Sequence, residues 1–174
     1  MPASAERTYY QYQLLKKINF NRFTLILYVA FAVFGVGAAL WSSSIAGILY
    51  AFLAWSIMIW IHYVIARSLF IMDRYTYKKR WGFQFKLPWI GFLPLPQQYI
   101  SDRYMRKVNL HTLVIGLIII LILMPWLPIG FSLQFIFWHI WLLIPRLYVT
   151  IAVLSISEDK LLKIQPHQCL IYKA

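Results

Sequence analysis

The chain has 174 residues, of which 61% are hydrophobic, 18% are aromatic and only 13% are charged. A soluble domain carries about 25% charged residues, and less than half of its residues are apolar. Lysine and arginine number 17 against five acidic residues, which gives a formal net charge of +12. This composition excludes a soluble single-domain enzyme and a disordered or disulfide-stabilised chain, and it predicts an integral membrane protein.

Four apolar segments follow one another along the chain as two pairs. The first pair covers residues 23–41 and 45–71, and the second covers residues 112–127 and 130–156. A helix of about 20 residues, rising 1.5 Å per residue, crosses a hydrocarbon core of about 30 Å. The sequence therefore predicts an all-α fold: a single membrane domain of four transmembrane helices arranged as two antiparallel hairpins.

Basic residues outside these segments lie on one side of the predicted membrane. Segment 1–22 has four, the loop 72–111 has eight and the tail 157–174 has three, whereas the two short connections have none. By the positive-inside rule, both termini and the loop are expected in the cytoplasm, and the protein in the plasma or bacterial inner membrane. Because this rule accounts for the positive charge, nucleic acid is not an expected partner.

The loop 72–111 interleaves basic with aromatic residues, and three prolines then follow within residues 88–96. Tryptophan and phenylalanine favour the headgroup layer, and lysine and arginine are attracted to anionic lipids. We expect this loop to lie along the inner surface against anionic lipids of the inner leaflet, with docking of a protein partner as the alternative. The residues predicted to make these contacts are Lys78, Lys79, Arg80, Trp81, Phe83, Phe85, Lys86 and Trp89.

Two arginines are the only charged side chains within the predicted spans. Arg67 is about 6 Å from the cytoplasmic end of its helix by helix rise, so its side chain can reach the headgroups. Arg146 is about 15 Å from the end of its helix, where a charge costs about 2.5 to 3.5 kcal/mol. No span contains an acidic residue. Arg146 is therefore the main candidate for a functional group, or for pairing with a carboxylate of another subunit.

Two histidines, His62 and His139, also lie within the spans, as the axial ligands of a b-type haem would. Counted from the helix ends, however, they differ in depth by about 12 Å, whereas two ligands of one haem lie at nearly the same level. We therefore expect no haem, and instead buried histidines that are hydrogen-bonded to neighbouring groups. His139 shares a helical face with Arg146, and together with Gln134 they are predicted to line one polar stripe.

The supply of reactive side chains limits the possible functions. The five carboxylates all lie outside the spans, and the single cysteine, Cys169, excludes dithiol chemistry. No phosphate-binding glycine loop and no metal-binding cluster are present in the sequence. We therefore expect a non-catalytic subunit or accessory factor of a larger membrane assembly for transport, secretion or respiration, with other membrane protein subunits as partners.

Two alternatives remain open. The first is a membrane enzyme acting on a lipid or lipid-linked phosphate, which Arg146 and Arg67 would hold, with His62 or His139 as the base. The second is a homo-oligomeric anion channel or carrier, for which the intramembrane arginines are the argument.

Overall fold

The computed structural model describes residues 13–154, 156 and 159–173. Most of this part of the chain is helical. The helices are α1 (Arg22–Met72), α2 (Asp102–Leu123) and α3 (Ile129–Leu154), and a 3-10 turn, Met124–Trp126, connects α2 to α3. All three helices are long and apolar enough to span a membrane.

Helix α1 is interrupted near its middle, within the serine connection that separates the first two predicted spans. Ser43 and Ser44 have non-helical backbone angles, and Ser44 has a positive φ of 52°. A Cβ atom built on Gly47 would overlap the carbonyl oxygen of Ala39, so the backbones on either side of the interruption touch each other. The described residues nevertheless form three long helices, and the predicted count of four is not confirmed.

The two short connections lie together at one end of the helices. A Cβ atom built on Gly130, the second residue of α3, would overlap the hydroxyl oxygen of Ser43. At the opposite end, α1 and α2 each follow a β-strand, and α3 is followed by another. The strands at that end belong to a sheet that was not expected from the sequence.

The expectation of an all-α fold was therefore wrong. A four-stranded antiparallel sheet has the order β1-β6-β5-β4 and joins segments from both termini with the residues before α2. Its strands are β1 (Leu14–Asn19), β4 (Ile100–Ser101), β5 (Lys160–Gln165) and β6 (Gln168–Lys173). Alternate residues of β5 and β6 face the helices, where Leu162, Ile164 and Ile171 join a hydrophobic core with Phe70 and Val149. The sheet thus closes the end of the bundle that carries most of the basic residues.

The second sheet is a hairpin within the segment predicted as an interfacial loop. Strands β2 (Trp81–Lys86) and β3 (Trp89–Pro94) pair antiparallel around a two-residue turn. Near that turn, Leu87 and Ile90 pack against the helix residues of a second hydrophobic core. The loop is also shorter than predicted, because α2 begins at Asp102, ten residues before the predicted start of the third span.

Candidate functional site

The two histidines of the helices contact each other directly. The Nε2 atom of His62 and the Nδ1 atom of His139 are 2.9 Å apart, and each side chain is only 1% exposed. Gly116 on α2 makes room for this pair, since a Cβ atom there would overlap the His139 ring. Each of the three helices therefore contributes to the enclosure of the pair.

The surrounding acceptors determine the direction of this hydrogen bond. Nε2 of His139 lies 3.1 Å from the carbonyl oxygen of Leu113, which can only accept, so this nitrogen carries the proton. In a neutral ring, Nδ1 of His139 then accepts from the Nε2–H group of His62. This tautomer leaves Nδ1 of His62 as a buried acceptor, and this atom has no hydrogen-bond partner in the structure.

The expected 12 Å difference in depth between the histidines was wrong, because it assumed that the ends of the two helices are level. Tyr50 stacks on Phe131 with ring centroids 5.1 Å apart, so residues that lie at different distances from their helix starts share one level. His62 lies twelve residues after Tyr50, and His139 lies eight residues after Phe131. The difference of four residues corresponds to a difference in depth of about 6 Å, which a tilt of one helix can absorb. The imidazoles bind each other rather than an ion between them. The described residues contain no group of three metal-ligating side chains, and the expectation of no haem stays a prediction.

Arg146 is buried within its own chain. Its side chain is 3% exposed, and its Nη2 atom donates to the carbonyl oxygen of Ile90, in the β2–β3 hairpin, at 3.1 Å. The next residue, Gly91, has a φ of 106°, and a Cβ atom there would lie 2.8 Å from Nη2. The Nε atom of Arg146 has no partner. Among the described residues, every ion pair links other groups, so no carboxylate neutralises this guanidinium.

Gln134 is also buried in α3, where its side-chain nitrogen donates to the carbonyl oxygen of Gly35 at 3.2 Å. The three polar residues of the predicted stripe are thus all enclosed, but each has a different partner. Gln134 contacts the first half of α1, His139 contacts the second half, and Arg146 contacts the hairpin. They do not form one continuous polar path.

Sequence reasoning missed a reciprocal pair that joins α1 to α3. The Tyr28 hydroxyl donates to the carbonyl oxygen of Trp141 at 3.2 Å, and the Trp141 indole donates to the carbonyl oxygen of Tyr28 at 3.0 Å. Their rings stack with centroids 4.2 Å apart. Because aromatic residues are frequent throughout the chain, no feature of the sequence distinguished these two.

The remaining predicted site residues lie away from the buried histidines. Arg67 is exposed and donates to the hydroxyl of Tyr63 at 3.1 Å. Trp81 and Trp89, which were expected to contact lipid, are buried in the protein core, and the Trp89 indole donates to the carbonyl oxygen of Gln165 at 2.9 Å. The other six residues of the predicted interfacial set are exposed: Lys78, Lys79, Arg80, Phe83, Phe85 and Lys86.

Two cavities are lined mainly by apolar side chains. One of about 360 Å³ lies between the first half of α1 and α3, and another of about 360 Å³ is lined by Trp55, Trp138, Trp141 and Ile90. The buried hydrogen bonds of His139, Gln134 and Arg146 can hold the helices and the hairpin together.

Comparison with protein-family models, with curated proteins and with solved structures gives no match to this chain.

Proposed function

We propose that this chain is a non-catalytic integral membrane subunit, or accessory factor, of a larger membrane assembly in transport, secretion or respiration. The proposal places it in the plasma or bacterial inner membrane, with α1 crossing twice as a hairpin and α2 and α3 forming a second hairpin. Both termini and the basic loop then face the cytoplasm, in agreement with the positive-inside rule. The exposed basic and aromatic side chains of the loop contact anionic lipids of the inner leaflet.

The observation that carries the proposal is the enclosure of the polar side chains. His62, His139 and Arg146 are between 1% and 3% exposed, and their hydrogen bonds go to each other or to backbone carbonyls. An enzyme acting on lipid phosphate or an anion channel needs a path from Arg146 to its substrate. The enclosed arginine therefore favours a structural role for the buried groups, and it leaves partner recognition to the outer surface.

Gly37 on α1 offers one point on such a surface. Gly37 is exposed, and a Cβ atom built on it meets no atom within 4 Å. Small residues on a helix face allow a second transmembrane helix to approach closely. A larger side chain at this position disturbs a partner helix without disturbing the chain itself.

The test is extraction from the native membrane in a mild detergent, followed by native mass spectrometry. We expect the chain to emerge in a fixed ratio with larger membrane proteins, and we expect Gly37→Leu to lose them while its thermal unfolding stays unchanged. Emergence of the wild-type chain alone, or only with copies of itself, overturns the proposal. Retention of the partners by Gly37→Leu instead shows that they bind another face.

A further inference from the structure

A groove opens on the side of the molecule between the first half of α1 and α3. It has a volume of about 360 Å³. Leu27, Phe31 and Ile144 line it, and each is between 37% and 53% exposed, so the groove is open laterally rather than closed by protein. In a bilayer, such a lateral opening faces the acyl chains of the lipids.

The end of the groove nearest the four-stranded sheet is polar. Asn19, Thr24 and Tyr148 lie along its wall, and from Thr24 the groove extends along α1 as far as Phe31, about 10 Å away by helix rise. Asn21 caps α1 here by accepting from the backbone N–H group of Thr24 at 2.8 Å. One end of the groove is therefore suited to a headgroup, and the remainder to a hydrocarbon chain.

Two basic residues lie near this polar end. The ammonium group of Lys16 lies 3.5 Å from the carbonyl oxygen of Ala152, one helical turn beyond Tyr148. Arg22, the first residue of α1, stands in the chain between Phe20 and Thr24, both of which line the groove. Both basic side chains are exposed.

The carboxylates of the described segments are engaged elsewhere. Asp73, Asp102 and Asp159 pair with basic residues of α2 and β5, and no ion pair among the described residues involves Lys16 or Arg22. The start of α1 adds the positive end of a helix dipole at the same place. The charge at the polar end of the groove thus complements an anion.

We propose that this groove binds one anionic phospholipid from the leaflet on the side of the four-stranded sheet. One acyl chain occupies the space beside Leu27, Phe31 and Ile144, and the phosphate lies near Lys16 and Arg22. The proposal rests on the membrane location proposed above, but not on the role as a subunit. A lipid bound by the isolated chain supports it even when no protein partner is found.

The test measures lipid binding to the detergent-purified full chain by native mass spectrometry, with phosphatidylglycerol and phosphatidylcholine of identical acyl chains as probes. We expect one phosphatidylglycerol to bind more tightly than the first phosphatidylcholine. The double variant Lys16→Gln/Arg22→Gln should weaken phosphatidylglycerol binding about 30-fold, which is about 2 kcal/mol for the removal of two charges near a lipid surface. Its binding of phosphatidylcholine should change much less.

Two further variants distinguish a built site from general attraction. Lys78→Gln/Lys79→Gln removes the same number of exposed charges from the loop before β2, where the contact with anionic lipids is not built around a groove. It should weaken binding of the first phosphatidylglycerol much less than Lys16→Gln/Arg22→Gln does. Ile144→Trp fills the groove and should weaken the binding of both lipids, with little change in thermal unfolding. Equal losses in the two charge variants show nonspecific attraction and overturn the proposal. Undiminished binding in Ile144→Trp also overturns it, as does a co-purifying protein helix that excludes lipid.

Discussion

Gly91→Ala tests the contact between the backbone of the β2–β3 hairpin and the guanidinium of Arg146. The positive φ of Gly91 adds a strain of about 1 to 2 kcal/mol for a side chain with a Cβ atom. The new methyl group would also stand 2.8 Å from the guanidinium, which must move and weaken its hydrogen bond to Ile90. Crowding of this kind costs about 1 to 3 kcal/mol. We therefore expect Gly91→Ala to lower the free energy of unfolding by about 2 to 5 kcal/mol.

The same substitution should cost less when the guanidinium is absent. In an Arg146→Ala background only the backbone strain remains, about 1 to 2 kcal/mol, so the two changes should couple by about 1 to 3 kcal/mol. Equilibrium unfolding in mixed micelles, followed by tryptophan fluorescence, measures the four variants of the cycle. Gly82→Ala on the paired strand is the matched control, because its Cβ atom would meet only a flexible leucine side chain. Additivity of Gly91→Ala with Arg146→Ala within about 0.5 kcal/mol refutes the proposed contact.

Two more substitutions test the buried groups. Gly116→Ala should destabilise the protein by about 1 to 3 kcal/mol, because its methyl group displaces His139. Gly37→Ala, on the open face of α1, should change stability by less than about 1 kcal/mol. Equal midpoints of thermal unfolding for the two variants would contradict this expectation. Burial raises the pKa of the Cys169 thiol to about 12, above the usual value of 9.0. Above about pH 9 the folded state therefore retains a proton that the unfolded state releases, and the free energy of unfolding should fall as the pH rises. Cys169→Ala should remove a loss of about 1.4 kcal/mol between about pH 8 and about pH 10, and unfolding measured at these two pH values checks this. The same loss in the variant and in the wild-type chain would be the contrary result.

The sequence predicts the helical part of the fold from hydropathy alone, and α3 shows why. Its observed bounds, Ile129–Leu154, nearly coincide with the predicted segment 130–156, because an apolar run ended by polar residues is a local signal. The start of α2 has a weaker signal of another kind. Met105, Asn109 and Thr112 are buried at spacings of three and four, whereas the charged residues between them face outward. A search for uncharged stretches passes over such an amphipathic turn.

Local hydropathy does not predict the four-stranded sheet. Strands β1 and β6 pair Ile18 with Cys169, about 150 residues apart in the chain, and neither strand is long enough to show a distinct alternation. Lys160 begins β5 and would be placed in solvent by its charge, yet it is buried beside Asp102 and donates to the carbonyl oxygen of Val153. Pairing over such distances is set by the tertiary structure, not by local preference.

For the candidate site, the sequence likewise identifies the unusual residues but not their partners. Polarity within apolar segments identified His62, His139, Gln134 and Arg146 as unusual, and all four are buried in the structure. Their partners did not follow from the sequence, because each partner is on another element. A depth calculated from helix ends also fails when neighbouring helices are offset, as the contact between the two histidines demonstrates.

The β2–β3 hairpin explains how an arginine can be accommodated among apolar helices. No carboxylate in the described part of the chain pairs with the guanidinium of Arg146, so a neutral group must accept its hydrogen bond. In a hairpin with a two-residue turn, the pair next to the turn, Lys86 and Trp89, exchanges the ladder hydrogen bonds, and the next pair, Phe85 and Ile90, points its backbone groups outward. The carbonyl group of Ile90 is therefore free at the edge of β3, where it accepts from Arg146. The arginine and the hairpin stabilise each other: the hairpin supplies an acceptor for the buried charge, and the charge pairs the edge carbonyl of Ile90.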